Sequence, residues 1–285
     1  MFIVTGANGQ LGRLIVHALA ARVSPGQIGV SVRDVAKAAD LAALGVRVRH
    51  GDFAEPESLG HAFEGARRVL IVSSNARAYG GDSRAQHRAA LDAARDAGAE
   101  RVLYTSHMAA SATSAFPPMH DHAATEAMLA GSGMKWTSLR HGFYASSGLA
   151  MARQATHDDV ITIPADGVVS WTTHGDLAEA AAAILAGEHT FEGPTPPLTG
   201  SEALSLADLA TIRADTAQTS VRHDVISDAQ YRERLAARGL PPHVAAIAYG
   251  FFLASRAGEF ARVDGELASI LGRAPTRVRT LIAPS

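Results

Sequence analysis

The chain opens on an apolar run, Phe2 to Thr5, which breaks into Gly6-Ala7-Asn8-Gly9-Gln10-Leu11-Gly12 and then into a helical pattern, Leu11 to Ala21. Three glycines at this spacing, between a strand and a helix, constrain the backbone more than any other feature of the sequence. Gly6 permits a tight turn, Gly9 lets the main chain approach a ligand closely, and Gly12 lets the helix pack on the strand. The amides that open such a helix lack intrahelical partners and carry partial positive charge, so the turn is predicted to hold a pyrophosphate. The contacts expected from it are Gly6, Asn8, Gly9, Gln10, Leu11 and Gly12.

The same alternation continues. Apolar runs at 28–33, 46–50, 69–73, 101–105 and 136–139 read as strands. Helical patterns at 35–44, 56–63, 82–97 and 120–130 fall between them, with Gly98 closing the third. Alternating strands and helices predict a Rossmann-type, doubly wound α/β fold with a parallel sheet covered on both faces. The expected division is a dinucleotide-binding domain over 1–140, to which 166–187 returns, and a smaller, mostly helical C-terminal lobe over 141–285. In that lobe Asp176 to Ala186 reads as a helix opened by a Thr173/Asp176 capping box. A short strand is expected in Pro194–Gly200, helices at 206–216 and 227–238, a strand at 221–226, and a last helical region from the Pro241-Pro242 pair to about 271.

Composition narrows the function classes. The chain has 285 residues and a formal net charge of −2, which gives no electrostatic case for nucleic acid or an anionic membrane. Arg67-Arg68 and the run 273–279 read as solvated surface. There is no cysteine, so disulfides, thiolate catalysis and Cys-ligated metals are excluded, and a reducing compartment fits. No stretch has signal-peptide form or the length of a membrane span. A cytoplasmic protein, monomer or homodimer, is expected. His120-Asp121-His122 matches no metal-ligand spacing, and no metal site is expected.

The end of the second strand selects the nucleotide. Arg33, with Lys37 four residues on, suits a 2′-phosphate, while Asp34 is placed to cap the next helix. NADPH is therefore the expected cofactor, with NADH possible. Asp52 and Phe53 follow the third strand and are candidates for the adenine. Ser73, Ser74 and Asn75 follow the fourth, and Thr105 and Ser106 the fifth, where open α/β sheets bind ligands.

The usual Tyr-x-x-x-Lys acid pair is absent. Tyrosines stand at 79, 104, 144, 231 and 249, none is followed four residues later by lysine, and the only lysines are Lys37 and Lys135. An acceptor whose reduction product is weakly basic, such as a quinone, or a cationic dye needs no such pair. His122 and Glu126 stand i, i+4 on one helix, so a carboxylate–imidazole pair is expected that would favour the charged ring and make His122 a proton donor or a ligand for a quinone oxygen.

The strings TGANGQLGRL, VRD with Lys37, HGDF, YTS at 104–106, His122-x-x-Thr125-Glu126 and LRHGFY at 139–144 resemble the NmrA-like atypical short-chain reductases. Within them the likeness is to bacterial type 2 NAD(P)H:quinone oxidoreductases and triphenylmethane dye reductases. The resemblance implies an NADPH-dependent reductase acting on a small aromatic or quinone-like substrate. It places Arg33 and Lys37 at the 2′-phosphate, and Gly142 and Tyr144 near the hydride-transfer face. His141 and Phe143 depart from the subfamily's Asn and Trp/Leu. The alternative it allows is an NAD(P)-binding redox sensor without turnover, which would bind oxidised dinucleotide at least as well as reduced.

Overall fold

Each apolar run of the first half becomes a buried strand, and each stretch between them supplies a covering helix. The computed structural model describes residues 1–282. In chain order the elements are β1 (Phe2–Thr5), α1 (Gln10–Ala20), β2 (Ile28–Val32), α2 (Ala39–Ala43), β3 (Arg47–His50), α3 (Glu57–Phe63), β4 (Arg68–Ile71), α4 (Ser83–Asp96), β5 (Arg101–His107), α5 (Pro118–Ala130) and β6 (Lys135–His141). They continue with β7 (Phe143–Tyr144), α6 (Ala145–Ala155), β8 (Thr156–His157), β9 (Val160–Pro164), β10 (Trp171–Thr172), α7 (His174–Ala186) and β11 (Gly193–Pro194). The last are α8 (Leu206–Thr216), β12 (Arg222–Ile226), α9 (Asp228–Ala237), α10 (Pro242–Arg256) and α11 (Glu266–Leu271).

Seven strands form one parallel sheet in the order β11-β6-β5-β4-β1-β2-β3. The chain winds outward from β1 to β3, then returns to pair β4 with β1 and winds the other way. The reversal leaves a crevice at the carboxyl ends of β1 and β4, which is the switch point where such sheets bind ligands. One face of the sheet is covered by α1, α7 and α11 through Ile15, Leu19, Leu177, Leu185 and Leu267. The other is covered by α3, α4 and α5 through Phe63, Leu91 and Leu129.

The predicted Val35–Leu44 helix is shorter: a 3₁₀ turn over 36–38 leads into the five-residue α2. β6 runs to His141, which brings Arg140 and His141 into the sheet. The last helical region is two helices, because Gly258, at φ +76°, follows the end of α10. The Thr173/Asp176 capping box is only half formed. Thr173 Oγ1 accepts from the Asp176 amide at 3.1 Å, but the Asp176 carboxylate turns to Arg273 at 2.8 Å and the Thr276 amide at 2.7 Å. Residues 141–175 carry no clear pattern in the sequence, yet they fold as β7, α6, β8, β9 and β10. Here α6 is made by its surroundings: a Cβ at Gly148 would lie 2.9 Å from Trp171 and Leu209.

The second half is mostly helical, and the strand expected at 221–226 is present as β12. β9 pairs with β12 in parallel and with β8 antiparallel. Its core is aromatic, with Phe116, Trp171, Phe251, Phe252 and Phe260 buried together and Phe143 packed against them.

Candidate functional site

The glycine turn has the geometry a pyrophosphate requires. Gly6 adopts φ +65°, and its amide donates to Ser31 O at 3.0 Å, pinning the turn to β2. A Cβ at Gly12 would lie 2.6 Å from Gly6 O and 3.1 Å from Ala7 Cα, so only glycine lets α1 start so close to β1. Gly9 is the N-cap, no side chain caps the helix, and no acid sits in its first turn. The leading amides are left for an anion. Asn8 donates from Nδ2 to Asp34 O at 2.8 Å, and its Oδ1 is buried without a partner among the described residues.

Beyond β2 the loop sorts its charges. Asp34 Oδ1 accepts from the Ala36 amide at 3.1 Å and so caps the following turn, with Lys37 Nζ 3.4 Å from its other oxygen. Arg13 reaches across to Lys37 O at 2.7 Å and pairs with Asp40, which ties α1 to this loop. Arg33 is exposed and free to meet a phosphate. These residues fit a dinucleotide with a 2′-phosphate: the uncapped helix and Gly12 for the bridging phosphates, Arg33 and Lys37 for the third.

The remaining loop residues gather at the same crevice, and several are already engaged. Asp52 Oδ1 accepts from the Ala54 amide at 2.9 Å, and Phe53 packs against the α3/α4 core. The Ser73 amide donates to Thr105 Oγ1 at 2.8 Å, which joins the ends of β4 and β5. Ser74 is held by His87 through its amide and by Gln86 through its hydroxyl, while Asn75 stands at the N-cap position of a 3₁₀ turn without a side-chain capping bond. Ser106 points inward and donates to Glu126 at 2.8 Å, so its hydroxyl is spent on the core.

His122 and Glu126 do not form the expected pair. Glu126 is bound by Arg140 at 3.0 and 2.6 Å and by Ser106 and Ser138 at 2.8 Å each. Burial opposes its ionisation, but these four bonds outweigh it and hold the carboxyl below its ordinary range. His122 instead meets the buried Tyr104 hydroxyl through Nδ1 at 2.9 Å. Burial pushes His122 down to about 4, against the weaker pull of Glu126 and Asp121, so the ring is neutral at pH 7. The reason is competition: Arg140, absent from the helical spacing argument, claims the carboxylate first.

The 139–144 segment is held rigidly. The Gly142 amide donates to Leu198 O at 2.8 Å, and a Cβ there would strike Thr172 Oγ1 and approach Ser170 O at 2.9 Å. The Tyr144 ring lies 4.2 Å from that of His174, and burial pushes its phenol up to about 12. His107 and His141 end β5 and β6 in register. His141 is buried with neither ring nitrogen partnered among the described residues, and burial pushes it down to about 3. His107 and His174 join His122 and Tyr144 here although neither was singled out in the sequence. The cue was available for His107, one strand position past Thr105-Ser106. Among the described residues no group of His, Asp or Glu is arranged to hold a metal, and no helix is long and apolar enough to cross a membrane.

A cavity of about 530 Å³ lies at the other end of the sheet, where β4, β5 and β6 begin, lined by Arg67, Arg68, Arg101 and Lys135. Its chemistry is structural: Arg67 pairs with Glu100, Arg68 binds Leu185 O at the end of α7, and Arg101 binds three backbone or hydroxyl oxygens and Glu192. The glycine turn and the histidines are at the opposite edge.

A parallel sheet with a switch-point crevice, a glycine-pinned helix N-terminus and basic residues past β2 defines an NAD(P)H-dependent oxidoreductase of the Rossmann type. Residues 6–188 match the NAD(P)H-binding family, and the chain belongs to it. It is 36% identical to quinone oxidoreductase 2 of Escherichia coli over 246 residues, 86% of this chain and 84% of that protein. The crystal structure of the E. coli NADPH-dependent quinone oxidoreductase complexed with NADPH superposes with a TM-score of 0.89 at 33% identity, covering 99% of this chain and 98% of that one. The triphenylmethane reductase of Citrobacter sp. complexed with NADP(H) gives a TM-score of 0.85 at 32% identity, covering 99% of each.

Proposed function

We propose that the protein uses NADPH to reduce a quinone or a similar conjugated aromatic acceptor. The observation that carries this reading is that the crevice has no Tyr–Lys acid pair: no tyrosine is followed four residues on by lysine, and Tyr144 packs its ring 4.2 Å from that of His174. The Tyr144 phenol is pushed up to about 12 and the His122 imidazole down to about 4, so neither is a strong acid at pH 7. Reduction of a ketone makes an alkoxide and calls for a proton in the transition state. Reduction of a quinone makes an aromatic hydroquinone anion, and reduction of a cationic dye leaves no anion.

NADPH supplies the hydride when bound, and the chain supplies position. The turn and α1 anchor the phosphates, Arg33 and Lys37 select the phosphorylated ribose, and Gly142 and Tyr144 line the crevice beside the carboxyl end of β6. Close, face-to-face placement accounts for much of the rate in such a reaction. The relatives named above, a quinone reductase and a dye reductase, support the acceptor class. Consumption of NADPH, with NADH in parallel, across small quinones, cationic triphenylmethane dyes and aldehydes tests the reading. Turnover with quinones or dyes, and none with aldehydes, is the expected pattern. Tight NADPH binding with no turnover on any acceptor would favour the sensor instead.

A further inference from the structure

We infer that buried Tyr104 fixes the tautomer of His122, so that the imidazole presents an Nε2–H donor to the acceptor oxygen where negative charge develops. Tyr104 is a positioning residue and His122 a neutral hydrogen-bond donor, not an acid. The inference rests on the acceptor reading above, but its structural half is testable without any turnover.

Tyr104 sits on β5 with no exposed surface, and its hydroxyl lies 2.9 Å from His122 Nδ1 on α5. A phenol is the better donor of the two groups and an imidazole nitrogen the better acceptor, so the O–H points to Nδ1. The surroundings of the phenol agree. His87 Nε2 accepts from the Ser74 amide at 2.8 Å, so its hydrogen is on Nδ1 and goes to Thr125 Oγ1 at 2.8 Å. Thr125 in turn gives its proton to Asp121 O at 2.7 Å. Thr125, the other hydroxyl beside Tyr104, therefore has no hydrogen to offer the phenol, and among the described residues His122 Nδ1 is the one hydrogen-bond partner of the buried Tyr104 hydroxyl, so the bond runs from oxygen to nitrogen.

With Nδ1 accepting, a neutral ring carries its one hydrogen on Nε2, which has no partner among the described residues. His122 is only partly buried, and its ring lies 6.2 Å from that of His107 at the carboxyl end of β5. Burial keeps it neutral, and the groups that face it oppose this only weakly. Glu126 is neutralised by Arg140, Asp121 by Arg77 and Arg84, and His87, His107 and His141 are themselves pushed down by burial. A neutral imidazole holds its N–H too tightly to release it. When the hydride and its electron pair reach the quinone, the developing oxyanion accepts a hydrogen bond from Nε2–H. The proton completing the hydroquinone comes from solvent, so NADPH, quinone and one proton balance against NADP⁺ and hydroquinone. A preorganised donor of this kind contributes about 10²-fold in kcat.

The test is a long-range ¹H–¹⁵N correlation spectrum of protein labelled in histidine, with His122 assigned through His122→Gln. The expected wild-type signal is a neutral Nε2–H ring, and Tyr104→Phe is expected to shift it to a tautomer mixture. With a small quinone, Tyr104→Phe should lower kcat about tenfold at an unchanged Kd for NADPH, a loss smaller than the about 10²-fold given to removal of the donor itself. His122→Gln, which keeps an N–H donor, should recover part of what His122→Ala loses. Wild-type kcat should be flat between pH 6 and 8, since no imidazole with its ordinary value of about 6.5 takes part. An Nδ1–H ring in the wild type, or a kcat that falls along a single titration near pH 6.5, would overturn the inference. If Tyr104→Phe does not fold, the wild-type tautomer and pH profile decide alone. Absence of all quinone turnover would remove the acceptor reading and leave the tautomer result standing.

Discussion

Arg33 and the buried histidines set the two clearest consequences at single residues. Arg33 is exposed, has no carboxylate partner among the described residues, and directly follows β2, where the proposed reading sets the 2′-phosphate. Arg33→Ala should raise KM for NADPH about ten- to hundredfold, the worth of a charge-assisted bond of about 1.5–3 kcal/mol, and leave KM for NADH nearly unchanged. Steady-state kinetics with both nucleotides would show it. The histidines act through stability. His87 and His141 are pushed down to about 3 and His122 to about 4, each mainly by burial. Between those values and an unfolded value of about 6.5, the unfolded chain binds more protons than the folded one, so stability falls as pH drops. Each such ring adds a slope of up to about 1.4 kcal/mol per pH unit in that window. Urea midpoints should hold near pH 7 and fall steeply below about pH 6, and His141→Phe should flatten the fall. The turn made by the motif glycines was legible in the sequence because each glycine acts through its own backbone, and Arg33 and Lys37 are proposed for the 2′-phosphate on their charge and place after β2. The partners of His122 and Ser106 were not, because a buried carboxylate goes to whichever donor the tertiary fold brings nearest, here Arg140.

Among the elements, α7 shows how helix chemistry read from the chain can be redirected by packing. The Asp176 carboxylate is buried at the start of α7 and receives Thr173, Arg273 and Thr276. It thereby fastens the segment after α11 onto the helix that packs against α1. Arg273 is half exposed and can rehydrate, so Asp176→Ala should cost about 1–3 kcal/mol, the price of unpaired donors, with no stranded charge. A denaturant midpoint would measure the loss, and limited proteolysis should cut first near 273–276. The strands and helices of the first half were legible because their periodicity is strong and their stops are glycines or caps, as with Gly98 after α4 and Asp82 before it. The elements from β7 to β10 were not. Their residues are small or of mixed polarity, and they are ordered by contact with Trp171, Leu209 and the aromatic core.

For the whole molecule, sheet order turns local pattern into a site. The reversal between β1 and β4 puts the glycine turn, the β2 loop and the ends of β4, β5 and β6 around one crevice, although they span residues 6 to 144. Alternation of strands and helices foretold a parallel sheet, and the fold class followed. Of the histidine-lined end of the crevice only His122 and Tyr144 were singled out, and their neighbours His107 and His174 were not, because that end is assembled from β5, α5, β6 and α7 only when all are in place. The most direct measurement is a single-turnover experiment in which preformed protein–NADPH complex is mixed rapidly with excess small quinone while nicotinamide absorbance is followed. The account predicts loss of one reduced nicotinamide per protein in a fast single exponential. Retention of that absorbance over many seconds, with NADPH demonstrably bound, would contradict it.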